Sequence, residues 1–126
     1  MTDIEQSLLS VREVFINYPK RYEVALDELR RVEHEIQDVL HVIEFCNLDA
    51  IQMTMKYKEL KSLRKQRRQL KDEIEVLEEI KTFVAYPKPS EKVINNTLRK
   101  VRSAIERQQK RTYTLKVRKD WQELFG

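Results

Sequence analysis

The chain has 126 residues, 37% of them charged, with one Gly, three Pro, one Cys and a net charge of +4. A single Cys excludes an intramolecular disulfide, and no apolar run approaches the roughly 18 residues of a membrane span. A composition rich in Glu, Lys, Arg, Leu and Ile, nearly free of breakers, predicts one all-α domain. Helices this long and polar cannot share a thick core, so the expected form is an elongated bundle that dimerises to bury what remains. With no signal peptide and one thiol, the expected compartment is the cytoplasm.

Thr2 and Glu5 form a capping-box pattern, so a helix starts at once. Ile4, Leu8, Val11, Phe15 and Tyr18 give it one apolar stripe, and Pro19 is expected to end it. The divisions are therefore an N-terminal helix over 1–19, a helical hairpin over 20–84 and a basic helical segment over 90–126. The short first helix, like the last, must dock at the base of the hairpin.

The hairpin is the organising element. Its first arm carries Tyr22, Ala25, Leu29, Val32, Ile36, Val39, Ile43 and Cys46, the 3-4 spacing of a coiled-coil seam. At 1.5 Å per residue the arm is roughly 40 Å long. Leu26, Leu40, Val42 and Phe45 widen its apolar face and call for a third helix or a second chain. Asn47 suits a left-handed helix end, and Asp49 with Gln52 makes a second capping box. The second arm repeats the seam with Leu60, Leu63, Leu70, Ile74 and Leu77, broken by Lys56, Arg67 and Lys81. Arg67 at a seam position suggests a device for specificity of register.

Charge supports the fold-back. Residues 56–71 hold eight basic residues and one acid, opposite an arm bearing Asp27, Glu28, Glu33, Glu35 and Asp38. Farther on, Asp72, Glu73, Glu75, Glu78 and Glu79 face Lys20 and Arg21. This match favours reading the basic stretch as answered by the first arm, over reading it as a nucleic-acid patch.

Pro87-Lys88-Pro89 reads as a stiff connector. Ser90 caps a helix with Ile94, Leu98, Val101 and Ile105 on one face. Beyond Gln108 the spacing of Tyr113, Val117, Trp121 and Leu124 fits a helix better than a lone strand.

Two surfaces stand out as candidate sites. The hairpin tip carries Phe45, Leu48, Ile51, Met53, Met55 and Tyr57, an adaptable apolar cluster suited to a protein partner, or else a dimer contact. The C-terminal segment carries Arg99, Lys100, Arg102, Arg107, Lys110, Arg111, Lys116, Arg118 and Lys119 against one acid, Glu106, with Tyr113 and Trp121 alongside. No acidic segment is left to neutralise it. It suits phosphates or an acidic partner, with aromatics to stack on bases; the alternative is a solubilising face with its aromatics in the core. His34, Asp38 and His41 share a face but lack a fourth metal ligand. Cys46 reads as a small buried hydrophobe. Neither a nucleophile–base pairing nor a phosphate-cradling glycine loop is present, so no enzyme and no cofactor are expected.

The runs Asn47-Leu48-Asp49-Ala50, Tyr57-Lys58-Glu59-Leu60 and Leu63 to Leu77 resemble segments of small helical proteins from temperate phages of Gram-positive bacteria. The resemblance covers about a quarter of the chain. It implies a bacterial cytoplasmic setting and a small non-enzymatic factor of the kind that binds a host or phage protein or modulates replication, transcription or defence. The expected function is a helical interaction or regulatory protein working through the tip and the basic C-terminal segment. Two alternatives remain: a nucleic-acid regulator acting through 99–119, and a structural dimeric scaffold.

Overall fold

A computed structural model describes residues 2–86 and 90–125; the Pro87-Lys88-Pro89 connector lies outside the described residues. The described chain is all-α: α1 (Asp3–Arg12), a π-helical segment (Glu13–Asn17), α2 (Tyr18–Phe45), α3 (Ala50–Val84), α4 (Glu91–Gln109) and a terminal 3-10 helix (Lys119–Phe125).

The caps follow the sequence. Thr2 Oγ1 accepts from Glu5 N–H while Glu5 takes the Thr2 N–H, and Asp49 and Gln52 repeat that exchange at the start of α3. Ser90 Oγ accepts from Val93 N–H to start α4. Each satisfies donors that the first helical turn leaves orphaned.

Pro19 does not end the first helix. Helical backbone runs from Asp3 to Phe45, because the chain widens into a π turn just before the proline. Tyr18 N–H reaches back five residues to Glu13 O. That extra residue in the turn gives the ring the room that a regular α-helix denies it. A proline can therefore open α2 without breaking the rod.

α2 and α3 fold back as an antiparallel hairpin. Ala25, Val32, Ile36 and Val39 interleave with Leu60, Leu63 and Leu70, and Leu29, Ile43 and Ile74 pack against them. The seam read from the spacing is the core of the molecule. Its polar interruptions lie at the rim: Arg67 bonds Glu33 across the hairpin at 3.4 Å, and Lys81 sits 4.7 Å from the Tyr22 ring centroid and 3.5 Å from Glu23. Arg67 is thus an exposed register contact and not a buried one. The turn also differs from expectation. Among the described residues no non-glycine adopts positive φ; Cys46 ends α2 in extended geometry and lies exposed beside the tip.

α4 runs antiparallel to α3 and packs on it alone, with Ala104 buried at the closest approach. Val93, Thr97 and Val101 line the contact, whereas Ile94, Leu98 and Ile105 stay open at its edge. α1 does not dock on the hairpin. It overhangs the base, Ile4, Leu8 and Val11 are exposed, and the junction is held by Phe15 against Phe83 at 5.9 Å between ring centroids. After Lys110 the chain is irregular up to the 3-10 helix, so the expected helix over 113–124 does not form. The Gln122 side chain replaces it, accepting from Leu115 N–H at 2.5 Å and donating to Tyr113 O.

One ion pair anchors the base. Arg21 grips Glu73 of α3 with two nitrogens, Nη2 at 2.8 Å, and also reaches Glu28 at 3.2 Å. The guanidinium hydrogen bond holds the Glu73 carboxyl below its ordinary value of 4.5. A depressed folded-state pKa adds stability above the unfolded value, and this is lost as pH falls through the folded one. Glu73→Gln should therefore be less stable than the parent at pH 7, by about 1 kcal/mol for a half-exposed bidentate pair. The gap should narrow as the pH falls through the depressed range of this carboxyl. A gap in urea melts that stays constant as the pH is lowered through and below the ordinary carboxylate range would count against the pair.

Candidate functional site

Two surfaces concentrate exposed chemistry. The first is the tip. Phe45 (76% exposed), Ile51 (75%), Met55 (64%) and Tyr57 (55%) stand open around the turn, while Leu48 and Met53 are half-buried. The cause is local: α2 stops at Phe45, α3 starts at Ala50, and α4 ends far short of the turn. Nothing within the described chain covers the last turns of the hairpin. His41 packs on Phe45 at 6.0 Å between rings and extends the apolar cap along α2. Exposed clusters of large apolar groups are what protein-binding surfaces present.

The second surface is electrostatic, and here the structure reverses the sequence reading. The basic C-terminal segment is partly neutralised within the chain. Lys100 pairs with Glu79 at 3.9 Å, Arg107 with Glu75 at 2.9 Å, and Arg111 with Asp72 through two nitrogens at 2.9 and 3.2 Å. The expectation that no acidic segment remained to neutralise it is therefore corrected: the acidic end of α3 does so. Arg118 pairs with Asp120 at 2.8 Å and lies over the Trp121 ring at 3.8 Å. Tyr113 stacks on Phe125, with the Arg68 guanidinium 4.8 Å from its centroid. Arg99, Arg102, Lys110, Lys116 and Lys119 have no ion-pair partner among the described residues and are exposed. The candidate residues thus split between staples and free cations.

The basic centre of α3 behaves in the opposite way. Of its eight cations, only Lys56 and Arg67 are paired, with Glu59 and Glu33. Lys58, Lys61, Arg64, Lys65, Arg68 and Lys71 have no ion-pair partner among the described residues. The expected neutralisation by α2 fails because α2 spends its acids at home: Asp27 on Arg30 at 3.2 Å, Glu35 on Arg31 at 3.1 Å, and Glu28 on Arg21. A sequence signal for this existed, since Asp27/Arg30 and Arg31/Glu35 stand at the i, i+3 and i, i+4 spacing of intrahelical pairs.

These cations border an open groove of about 820 Å³ between α2, α3 and the tail. Arg64, Arg67, Arg68 and Lys71 form its floor, Glu33, Ile36 and Gln37 one wall, and Arg111 and Tyr113 the end. Protonation is displaced at Arg21, Glu73, Arg111 and Asp120, and in each case a salt-bridge hydrogen bond is the main cause. None of these shifts arises chiefly from burial in a cleft, the usual mark of a tuned acid or base. His34, Asp38 and His41 lie exposed, and among the described residues no three His, Cys, Asp or Glu side chains are grouped to hold a metal ion. Among them, too, no helix is long and apolar enough to cross a membrane. Compared with known proteins, the chain matches no family model, no curated sequence and no solved structure.

Proposed function

We propose that this chain is a non-enzymatic interaction protein that holds a protein partner on the tip of its helical hairpin. The observation that carries the reading is the tip itself. Phe45, Ile51, Met55 and Tyr57 are open at the end of a rod whose own core, from Ala25 to Leu70, is already filled. A hairpin needs no aromatic or methionine cap to fold; such side chains at an exposed end give large contact area and adaptable shape. The resemblance of the second arm to small helical phage proteins is consistent with a regulatory factor of bacterial cytoplasm.

The test is affinity capture from a bacterial lysate with the full chain as bait, with and without nuclease. Met53→Asp plus Tyr57→Ala should remove a captured protein by at least about tenfold, the cost of losing one or two anchor residues. Far-ultraviolet circular dichroism should stay unchanged, since both positions lie outside the core cluster. Undiminished capture by the double variant would sink the tip reading.

A second reading, self-association, is favoured by the uncovered stripe of Ile4, Leu8 and Val11 on α1. Light scattering should then give twice the monomer mass at micromolar concentration, and Leu8→Glu should return it to 15.3 kDa.

A further inference from the structure

The uncovered flank of α3 adjoins the tip at Tyr57, and its row of cations has a chemistry of its own. Lys61, Arg64, Arg68 and Lys71 recur at intervals of three, four and three residues, so they share one face of α3. At 1.5 Å per residue that row is about 15 Å long. Tyr57 lies on the same face one turn nearer the tip and is exposed. α4 covers this side of α3 only as far as Asp72, where Arg111 clamps its end, so from Lys71 toward the tip only Tyr113, against Arg68, touches the row. The acids that border the groove are already committed: Glu33 to Arg67, Asp72 to Arg111 and Glu75 to Arg107. The net field of the trough is therefore positive. Arg68 is held in place against the Tyr113 ring and needs no rearrangement to present its donors.

We propose that this flank binds the phosphate backbone of a single-stranded nucleic acid. Lys61, Arg64, Arg68 and Lys71 take the phosphates and Tyr57 offers a ring to a base. A row of unpaired cations calls for a ligand with charge repeated along its length. The trough, walled by α2 and closed at one end by Tyr113, suits a thin flexible strand better than a rigid duplex. A cationic track with an aromatic beside it is the way sequence-tolerant single-strand binding is built. The inference shares Tyr57 with the tip reading but rests on the cations, so F45A probes the tip alone and R64E/R68E/K71E the flank alone, and either can fail without the other.

The experiment is fluorescence anisotropy of a labelled oligo(dT) of about 20 nucleotides with the full chain, from 20 to 300 mM NaCl. Four phosphate contacts give a slope of log K against log salt of about −3. R64E/R68E/K71E should weaken binding at least about tenfold and flatten the slope to about −1, because three contacts are gone. The milder R64Q/R68Q/K71Q should fall between that variant and the parent, which guards against misfolding of the reversed charges. K20E/K92E/K119E, with the same change in net charge away from the flank, should stay within about threefold, and so should the tip variant F45A. No binding at low salt, equal loss in K20E/K92E/K119E, a duplex of the same length bound as tightly, or displacement by polyglutamate as effective as by poly(U) would each overturn the proposal.

Discussion

Val32→Asp is expected to abolish cooperative folding of the hairpin near room temperature. Val32 is the largest fully buried side chain, 1% exposed, in the middle of the α2–α3 seam. The substitution forfeits about 1.5–3 kcal/mol of apolar burial and places a carboxylate where no cation waits, at a cost of several more. The core is thin. Among the described residues only nine hydrophobic side chains are buried, all small or aliphatic. A loss on the order of 5 kcal/mol is comparable with the whole stability of a small domain. A thermal melt followed at 222 nm should turn broad and start from a reduced signal, whereas Val32→Ala should only lower the midpoint by several degrees. An unchanged melt for Val32→Asp would mean that the seam is not the core.

Ala104→Glu is expected to detach α4 while leaving the hairpin folded. Ala104 is the only fully buried residue of α4, and its small size sets how closely the helix approaches α3. Glutamate there would be too large, and it would drive a carboxylate into a contact now made by a methyl group. Overpacking costs about 1–3 kcal/mol, and desolvation of the new charge adds to it. The staples from Lys100, Arg107 and Arg111 are exposed pairs worth less than that together. A 19-residue helix is marginal on its own in water. Hydrogen exchange should show the amides of α4 losing protection while those of Val32 to Val39 keep theirs. Equal protection of α4 in parent and variant would contradict this account.

Most of the fold was legible in the sequence, because it rests on local or periodic signals. The seam from Ala25 to Leu77 is a repeat that only a helical pair can bury, and the caps at Thr2, Asp49 and Ser90 carry their partners three residues downstream. What escaped was non-local. Pro19 is locally a stop, and only the widened turn at Glu13–Asn17 lets the helix pass it. The tail after Lys110 has helical spacing, but too few apolar residues meet a packing surface, and Gln122 ties it into an irregular form instead. The electrostatic reading went astray for the same reason. Charge complementarity along a hairpin shows which segments can pair but not which do. Glu75 and Glu79 of α3 go to α4, and Asp27, Glu28 and Glu35 pair within α2. Only Glu33 reaches the basic centre of α3, whose other cations, Lys56 on Glu59 apart, have no ion-pair partner among the described residues.

The π turn carries a consequence of phase. Ile4, Leu8, Val11, Phe15 and Tyr18 stand in the same heptad frame as Tyr22, Ala25 and Leu29, so a uniform α-helix would present them all along one line. A turn that takes up one extra residue rotates everything before it by about 100° about the common axis. α1 therefore shares an axis with α2 but not a bearing. Because the two are one continuous rod and not a hinged pair, that offset is fixed. Deleting a single residue between Glu13 and Asn17 would re-aim the N-terminal stripe as a whole, and any contact made there would move with it.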